Sequence, residues 1–202
     1  PLSHMFERAA AARRRRYESG RATRHHLSHP VVSVGNLTVG GTGKTPMVIL
    51  LASHLVAEGF RVSVLSRGYR GRRAEDPTDV TSHSSWRHVG DEPVLIAREV
   101  PSARVTVGRN RFEAGLVAES HGPLDLHILD DGFQHLDLAR DVDIVMVSGG
   151  TPLAAARCLP AGPYREPPAA LASAQVVVVT ASSETAEATA IGEVRALASP
   201  SA

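Results

Sequence analysis

The residues best suited to chemistry lie in a glycine-rich segment that follows the β-branched run 31–34 and precedes an apolar run from about residue 46. In a P-loop, backbone N–H groups and a helix N-terminus bind phosphate oxygens, a lysine reaches the β- and γ-phosphates, and a hydroxyl contacts Mg²⁺. Lys44 is the single lysine beside 21 arginines, which indicates a position that needs a compact ammonium. The predicted nucleotide-binding residues are Gly40, Gly41, Thr42, Gly43, Lys44 and Thr45, with Thr45 on the metal.

One departure from the usual pattern leaves an alternative open for this segment. Thr38 stands where the usual pattern has its first glycine, five positions before Gly43 and six before Lys44. The alternative is therefore a glycine-rich turn that binds no ligand.

Two groups of carboxylates are candidates for metal binding and proton transfer. Asp130 and Asp131 follow the apolar run 124–129, and the carboxyl ends of strands are where open α/β sheets bind ligands. Asp130 is predicted to hold Mg²⁺ and Asp131 to act in catalysis, although Asp-Asp-Gly is also a common turn. Asp91 is the candidate acceptor of a hydroxyl proton, with Glu92 beside it. The alternative for this pair is a helix N-cap with an acidic first turn.

Further polar residues in glycine-rich loops are predicted to position substrate or phosphate. They are Arg67, Tyr69, Glu92, Arg109, Gln134, His135 and Arg165. For the arginines the alternative is a solvated surface side chain, and for His135 it is a role in orienting the aspartate loop.

The elements that must position these residues alternate along the chain. Strands are predicted at 31–34, 61–66, 105–107, 124–129, 142–147 and 176–179, and helices at 2–18, about 46–58, 93–99, 111–119 and 184–197. Residues 67–90 are predicted to be an irregular loop. This alternation predicts an α/β fold, a P-loop NTPase-like and mostly parallel sheet with flanking helices.

Composition excludes several protein classes. The chain of 202 residues is 43% hydrophobic and 21% charged, as in ordinary globular proteins, and no apolar stretch approaches the ~18 residues of a membrane span. One cysteine excludes an intrachain disulfide framework. The net charge of +1 combines +5 in residues 1–30 with −4 in the rest, so a basic arm precedes an acidic body.

These segments together resemble the tetraacyldisaccharide 4′-kinase family. The matching strings are Pro1-Leu2-Ser3, the loop from Ser33 to Pro46, Ser66-Arg67-Gly68-Tyr69, Gly90-Asp91-Glu92-Pro93, Leu129 to His135 with Arg140-Asp141, and Leu159 to Glu166. The Asp-Asp-Gly-Phe-Gln-His string is far more specific than the P-loop, and Thr38 is similar to the family's own variant of that loop.

The resemblance implies transfer of phosphate from ATP, with Mg²⁺, to the 4′-hydroxyl of a tetraacyldisaccharide 1-phosphate in lipid A synthesis. It implies that Asp91 is the catalytic aspartate and that Asp130 and Asp131 lie near the metal. It also implies a lipid-linked disaccharide substrate, an anionic inner-membrane surface as partner, no nucleic acid, and a peripheral location on the cytoplasmic face. The apolar residues Leu2, Met5 and Phe6 are then expected to contact acyl chains, and Arg13 to Arg16 to face headgroups. The alternative is a solvated charge run.

The family's chain is longer, and its C-terminal part carries a histidine, in an Asp-His-His-type motif, that pairs with the catalytic aspartate. We therefore expect an N-terminal membrane-facing helix with a linker at 1–29, a P-loop kinase core at 30–150 and a truncated second lobe at 151–202. The Pro1 start also favours a fragment. The alternatives are a regulatory P-loop ATPase and a non-catalytic remnant that binds nucleotide or membrane.

Overall fold

The computed structural model describes residues 2–68 and 76–198, so Tyr69 lies outside the described residues. The chain forms two compact units. We call residues 24–34 and 44–141 the nucleotide-side unit, and residues 1–23, 35–43 and 142–202 the flanking unit. The predicted boundaries after residues 29 and 150 stay a prediction.

Helices and strands alternate along most of the described chain. The helices are α1 (Leu2–Glu18), α2 (Lys44–Ala57), α3 (Trp86–Val89), α4 (Asp91–Glu99), α5 (Arg111–Ser120) and α6 (Glu184–Ala198), with a 3₁₀ helix at Pro168–Ser173. The strands are β1 (Val31–Asn36), β2 (Val62–Ser66), β3 (Thr78–Val80), β4 (Arg104–Val107), β5 (Leu126–Asp130), β6 (Val142–Ser148) and β7 (Val176–Thr180).

A twisted sheet forms the centre of the nucleotide-side unit, with the strand order β3-β4-β2-β5-β1. All pairings in it are parallel except the antiparallel pair β3–β4. All five residues of β2 and all five of β5 are buried, because parallel strands are covered on both faces. Helix α5 packs on β2 and β4, and α2 packs on β2 and β5. Parallel pairing brings the carboxyl ends of β1, β2 and β5 to one edge.

The flanking unit contains α1, the parallel pair β6–β7, the 3₁₀ helix and α6. Within residues 2–68 and 76–198, no helix combines the length and apolar character needed to cross a bilayer.

Helix α1 carries its charges on more than one side. Leu2 and Met5 are exposed, as expected, and so are Arg15 and Arg16. Arg14, in contrast, is buried, and its Nε and Nη2 atoms donate to the carboxylate oxygens of Glu166 at 2.6 and 2.8 Å. The expectation that all four arginines face headgroups is therefore wrong for Arg14. At 3.6 residues per turn, four consecutive side chains encircle the helix, so one of them must point inward.

The predicted α/β class is confirmed, as are the six predicted strands and five predicted helices, with ends that differ by a few residues. The prediction of an irregular loop at 67–90 is wrong in part, because β3 and α3 form there. β3 has only three residues and α3 only four, too few to show a hydrophobic period.

Candidate active site

The first half of the glycine-rich loop is held in place by a second segment of the flanking unit. The Val39 amide donates to the Pro163 carbonyl at 2.8 Å, and the Arg165 amide donates to the Leu37 carbonyl at 2.6 Å. Thr38 lies between these bonds, in an isolated bridge opposite Tyr164. Extended, paired backbone favours a β-branched residue over glycine, which explains why threonine occupies this position.

The second half of the loop turns the chain into α2. Gly43 has φ of 83°, in the left-handed region that glycine adopts without strain. Nearby, the Thr42 hydroxyl is buried and has no hydrogen-bond partner among the described residues. Helix α2 begins at the next residue, Lys44, and Thr45 is partly buried in its first turn. The sequence therefore places a left-handed glycine directly before a helix N-terminus, as a phosphate loop requires.

Lys44 contacts the aspartate loop of the nucleotide-side unit. Its Nζ lies 3.6 Å from Asp131 Oδ1, and the lysine side chain is 14% exposed. Asp131 has φ of 51°, the left-handed region that aspartate tolerates better than most residues. Gly132 follows because a Cβ there would lie 2.6 Å from the Leu129 side chain and 2.7 Å from Ser33 Oγ. The Asp-Asp-Gly string therefore forms a turn, which is the alternative given in the sequence analysis. This turn brings the Asp131 carboxylate to Lys44.

Asp130 ends β5 as a buried carboxylate. Its Oδ2 accepts a hydrogen bond from Ser66 Oγ at 2.8 Å, while Oδ1 has no hydrogen-bond partner among the described residues. Burial raises the pKa of Asp130, the Ser66 hydrogen bond opposes this, and the charge of Asp131 raises the pKa further. A buried carboxylate oxygen without a donor is a site that a cation can satisfy.

Asp91 and Glu92 open helix α4. Gly90 is the N-cap, so the N-cap part of the alternative is wrong by one residue, whereas the acidic first turn is confirmed. The Glu92 amide donates to Asp91 Oδ1 at 3.1 Å. The pKa of Glu92 is raised, first by partial loss of water and then by the charge of Asp130, and Lys44 opposes the shift. The structure therefore groups the two acidic pairs with Lys44 in one unit.

Arginines add positive charge beside these carboxylates. Burial, and then the charge of Arg67, lower the pKa of Arg111 to about 10, while the charges of Asp130 and Asp131 oppose the shift. Arg67 and Arg109 are exposed, and the Arg109 carbonyl accepts a bond from Arg111 Nη1 at 3.2 Å.

The other predicted positioning residues lie in two places. Gln134 and His135 follow the aspartate turn, and His135 Nε2 lies 3.2 Å from Asp137 Oδ1. Arg165 belongs to the flanking unit, where its guanidinium donates to Asn36 Oδ1. Their roles toward a substrate stay predictions.

Sequence reasoning gave no role to Ser66 or Asn36. Ser66 is the last residue of β2, so its place at the carboxyl edge of a predicted strand was the available signal. Asn36 is fully buried, and no pattern in the sequence indicates its bond to Arg165.

The family model described as Tetraacyldisaccharide-1-P 4′-kinase matches residues 1–200. The chain belongs to the tetraacyldisaccharide 4′-kinase family. It is 48% identical over 169 residues to the tetraacyldisaccharide 4′-kinase of Geobacter sulfurreducens, covering 81% of this chain and 48% of that protein. It is 46% identical to that of Chromobacterium violaceum, covering 89% of this chain and 52% of the relative.

A solved structure shares the fold. The crystal structure of LpxK from Aquifex aeolicus in complex with ATP superposes with a TM-score of 0.81 at 37% identity, covering 89% of this chain and 57% of that one. The present chain spans about half the length of the curated tetraacyldisaccharide 4′-kinases that it matches.

Proposed function

We propose that this chain binds ATP and carries the phosphoryl-transfer site of a kinase that phosphorylates the 4′-hydroxyl of a tetraacyldisaccharide 1-phosphate. Family membership supports the substrate, since the relatives from Geobacter and Chromobacterium carry the name of that activity. A complex of ATP with LpxK of Aquifex aeolicus supports the nucleotide. The observation that carries the proposal is Lys44 at 3.6 Å from Asp131, at the start of the helix that follows the phosphate loop.

Mg²⁺ fits the donor set at the carboxyl end of β5. Asp130 Oδ1 is buried without a hydrogen-bond donor, and carboxylate and hydroxyl oxygens are the ligands that Mg²⁺ prefers. Asp130 would hold the ion, with the Thr45 hydroxyl as the second ligand. When bound, Mg²⁺ neutralises charge on the phosphate oxygens.

The remaining residues are assigned roles by charge and position. Gly40 to Gly43 offer backbone N–H groups to phosphate oxygens, and Lys44 neutralises the transferring phosphoryl group. Asp91 accepts the proton of the attacking hydroxyl, and Asp131 holds the Lys44 ammonium in position. Because phosphoryl transfer needs little covalent help from the protein, this positioning and charge stabilisation account for most of the rate.

The acceptor is expected to come from a membrane. We infer a peripheral location on the cytoplasmic face of the inner membrane, with α1 against the anionic surface. The exposed Leu2, Met5 and Phe6 and the exposed Arg15 and Arg16 support this, because interfacial helices combine apolar and basic residues.

The test is transfer of radiolabel from ATP to the disaccharide 1-phosphate acceptor, measured together with nucleotide binding. We expect Lys44→Ala to lower transfer by roughly 100-fold or more, since removing one charge-stabilising donor typically costs that much. Lys44→Arg should also be impaired, because a planar guanidinium cannot replace the ammonium. The exposed Arg87→Ala is the control and should match the unaltered chain.

Transfer that survives Lys44→Ala contradicts the proposed mechanism. ATP hydrolysis with no labelled lipid supports the regulatory ATPase instead. Nucleotide binding without either reaction supports the non-catalytic alternative.

A further inference from the structure

Two histidines and a glutamate converge in the nucleotide-side unit. His29 precedes β1, Glu119 lies in the last turn of α5, and His127 lies within β5. The distance from Glu119 Oε1 is 3.0 Å to His29 Nδ1 and 3.2 Å to His127 Nε2. All three ligand atoms lie within 4.8 Å of one another.

The cluster is separate from the carboxylates described above. His127 pairs in register with Val31 of β1 and Ser63 of β2, near the start of those strands, whereas Asp130 lies at the carboxyl end of β5. None of the proposed kinase roles uses these three side chains.

The strands and helix orient the ligand atoms before any ion binds. His127 is fully buried, and its Nδ1 lies 2.7 Å from Ser63 Oγ, so its Nε2 faces Glu119. The His29 and His127 rings meet edge to face, with centroids 6.0 Å apart. A hydrogen-bond partner on the second ring nitrogen is the arrangement that orients histidines in metal sites.

Glu119 Oε1 has more neighbours than its lone pairs can accept. The backbone amides of Ser28 and His29 donate to it at 2.8 and 3.2 Å, and the two imidazole nitrogens lie equally close. A carboxylate oxygen offers about two lone-pair sites, fewer than the four nitrogens around Oε1. A cation reduces this crowding, because one bond from Oε1 to the ion replaces two imidazole contacts and both imidazoles can then present lone pairs to the ion.

We propose that His29 Nδ1, Glu119 Oε1 and His127 Nε2 form a binding site for a divalent transition metal, with Zn²⁺ as the best match. Two histidines and a glutamate are a recognised zinc ligand set with bonds of about 2.0–2.2 Å. At tetrahedral angles such bonds place ligand atoms about 3.3–3.5 Å apart. The observed distances of 3.0 and 3.2 Å reach this geometry with small side-chain movements.

The protonation states suit this metal. Burial lowers the pKa of His127, although the hydrogen bond and charge of Glu119 oppose the shift, so the neutral imidazole is favoured. Burial raises the pKa of Glu119, but hydrogen bonds from His29, His127 and Ser28 outweigh it and the pKa is lowered. Neutral imidazole and ionised carboxylate are the forms that bind metals. The bound ion would connect the segment before β1 to α5 and β5, so its role is to hold the start of β5 in place.

The test uses the whole untagged chain, from which bound metal is first removed with a chelator. Zn²⁺ is then titrated in the presence of excess Mg²⁺, because Mg²⁺ occupies sites made of hard oxygen ligands. We expect one tight equivalent of Zn²⁺ per chain and a higher unfolding midpoint. His29→Gln should weaken binding at least about tenfold, since even indirect changes to metal sites cost 10–100-fold. Exposed His54→Gln is the control and should bind as the unaltered chain does.

Equal Zn²⁺ affinity in the unaltered chain and His29→Gln overturns the proposal, as does an equal loss in His54→Gln. A Co²⁺ titration of the unaltered chain gives an answer even if the variant does not fold. Intense visible bands of four- or five-coordinate Co²⁺ support the site, and a weak spectrum like that of aqueous Co²⁺ overturns it.

Discussion

At the scale of one residue, the buried carboxylate of Asp130 is suited to binding a cation, and its burial lowers the stability of the folded chain. Its carboxylate is buried with one hydrogen bond, from Ser66, and burial raises its pKa. Asparagine has nearly the same shape and carries no charge. The two side chains therefore separate the electrostatic role of this position from its packing role.

We expect Asp130→Asn to stabilise the folded chain at pH 7 while abolishing Mg²⁺-dependent transfer. Because the folded pKa is raised above the ordinary value of 3.8, the native state keeps a proton that the unfolded state has lost, and stability falls as pH rises through that window. Asp130→Asn has no titrating group at this position, so this fall in stability does not occur in the variant. Its advantage in denaturant unfolding should therefore grow as pH rises from about 4 to 7.

Ser66→Ala is the comparison, since it removes the hydrogen bond and leaves the charge in place. A free energy of unfolding for Asp130→Asn that differs from the unaltered chain by the same amount at every pH would contradict this account.

At the scale of elements, a buried ion pair joins α1 to the segment that holds the glycine-rich loop. Arg14 and Glu166 are 6% and 5% exposed, and two hydrogen bonds connect them. Glu166 directly follows the residues that pair with Leu37 to Val39. Helix α1 therefore has a structural role in the flanking unit beside its proposed role at the membrane.

Arg14→Met should lower the free energy of unfolding by about 3–5 kcal/mol, because it removes two charged hydrogen bonds from the buried Glu166 carboxylate. Replacing both residues, in Arg14→Met with Glu166→Leu, should recover much of that loss. Exposed Arg15→Met is the matched control and should stay within about 0.5 kcal/mol of the unaltered chain. Denaturant unfolding measures all three, and equal effects of the Arg14 and Arg15 variants would contradict the structural role.

The elements also show what sequence patterns can predict. The parallel strand Val176–Thr180 is a continuous β-branched run although none of its residues is fully buried, and Gly-Lys-Thr between a strand and a helix is a local signal, so both were found. Contacts between distant positions leave no such signal. The pairing of Arg14 with Glu166 joins residues 152 positions apart, and the metal cluster joins His29 to residues about 90 or more positions away.

At the scale of the whole molecule, the small net charge hides an uneven distribution. Residues 1–30 carry +5 and the rest carry −4, so an anionic surface attracts one part of the chain and repels the other. Each basic residue near such a surface contributes about 1 kcal/mol, and this attraction is screened by salt.

We expect the chain to sediment with vesicles that contain anionic lipid and to be released as salt rises. Met5→Asp should weaken sedimentation by removing an exposed apolar contact, and Arg15→Ala with Arg16→Ala should weaken it further on anionic vesicles only. Exposed Arg98→Ala, outside α1, is the control. Equal binding to neutral and anionic vesicles, or no effect of the α1 variants, would count against the proposed orientation.

The antiparallel strand β3 has a consequence for solubility. Within residues 2–68 and 76–198 it forms one edge of the nucleotide-side sheet with only three residues, and the carboxylate of its middle residue, Asp79, accepts from Thr106 Oγ1 at 2.7 Å. A strand from another molecule that docked there would gain few backbone hydrogen bonds and would meet a negative charge. Short, charged edges of this kind oppose edge-to-edge aggregation. We therefore expect β3 to prevent this otherwise parallel, strongly apolar sheet from pairing with a strand of another molecule on this side.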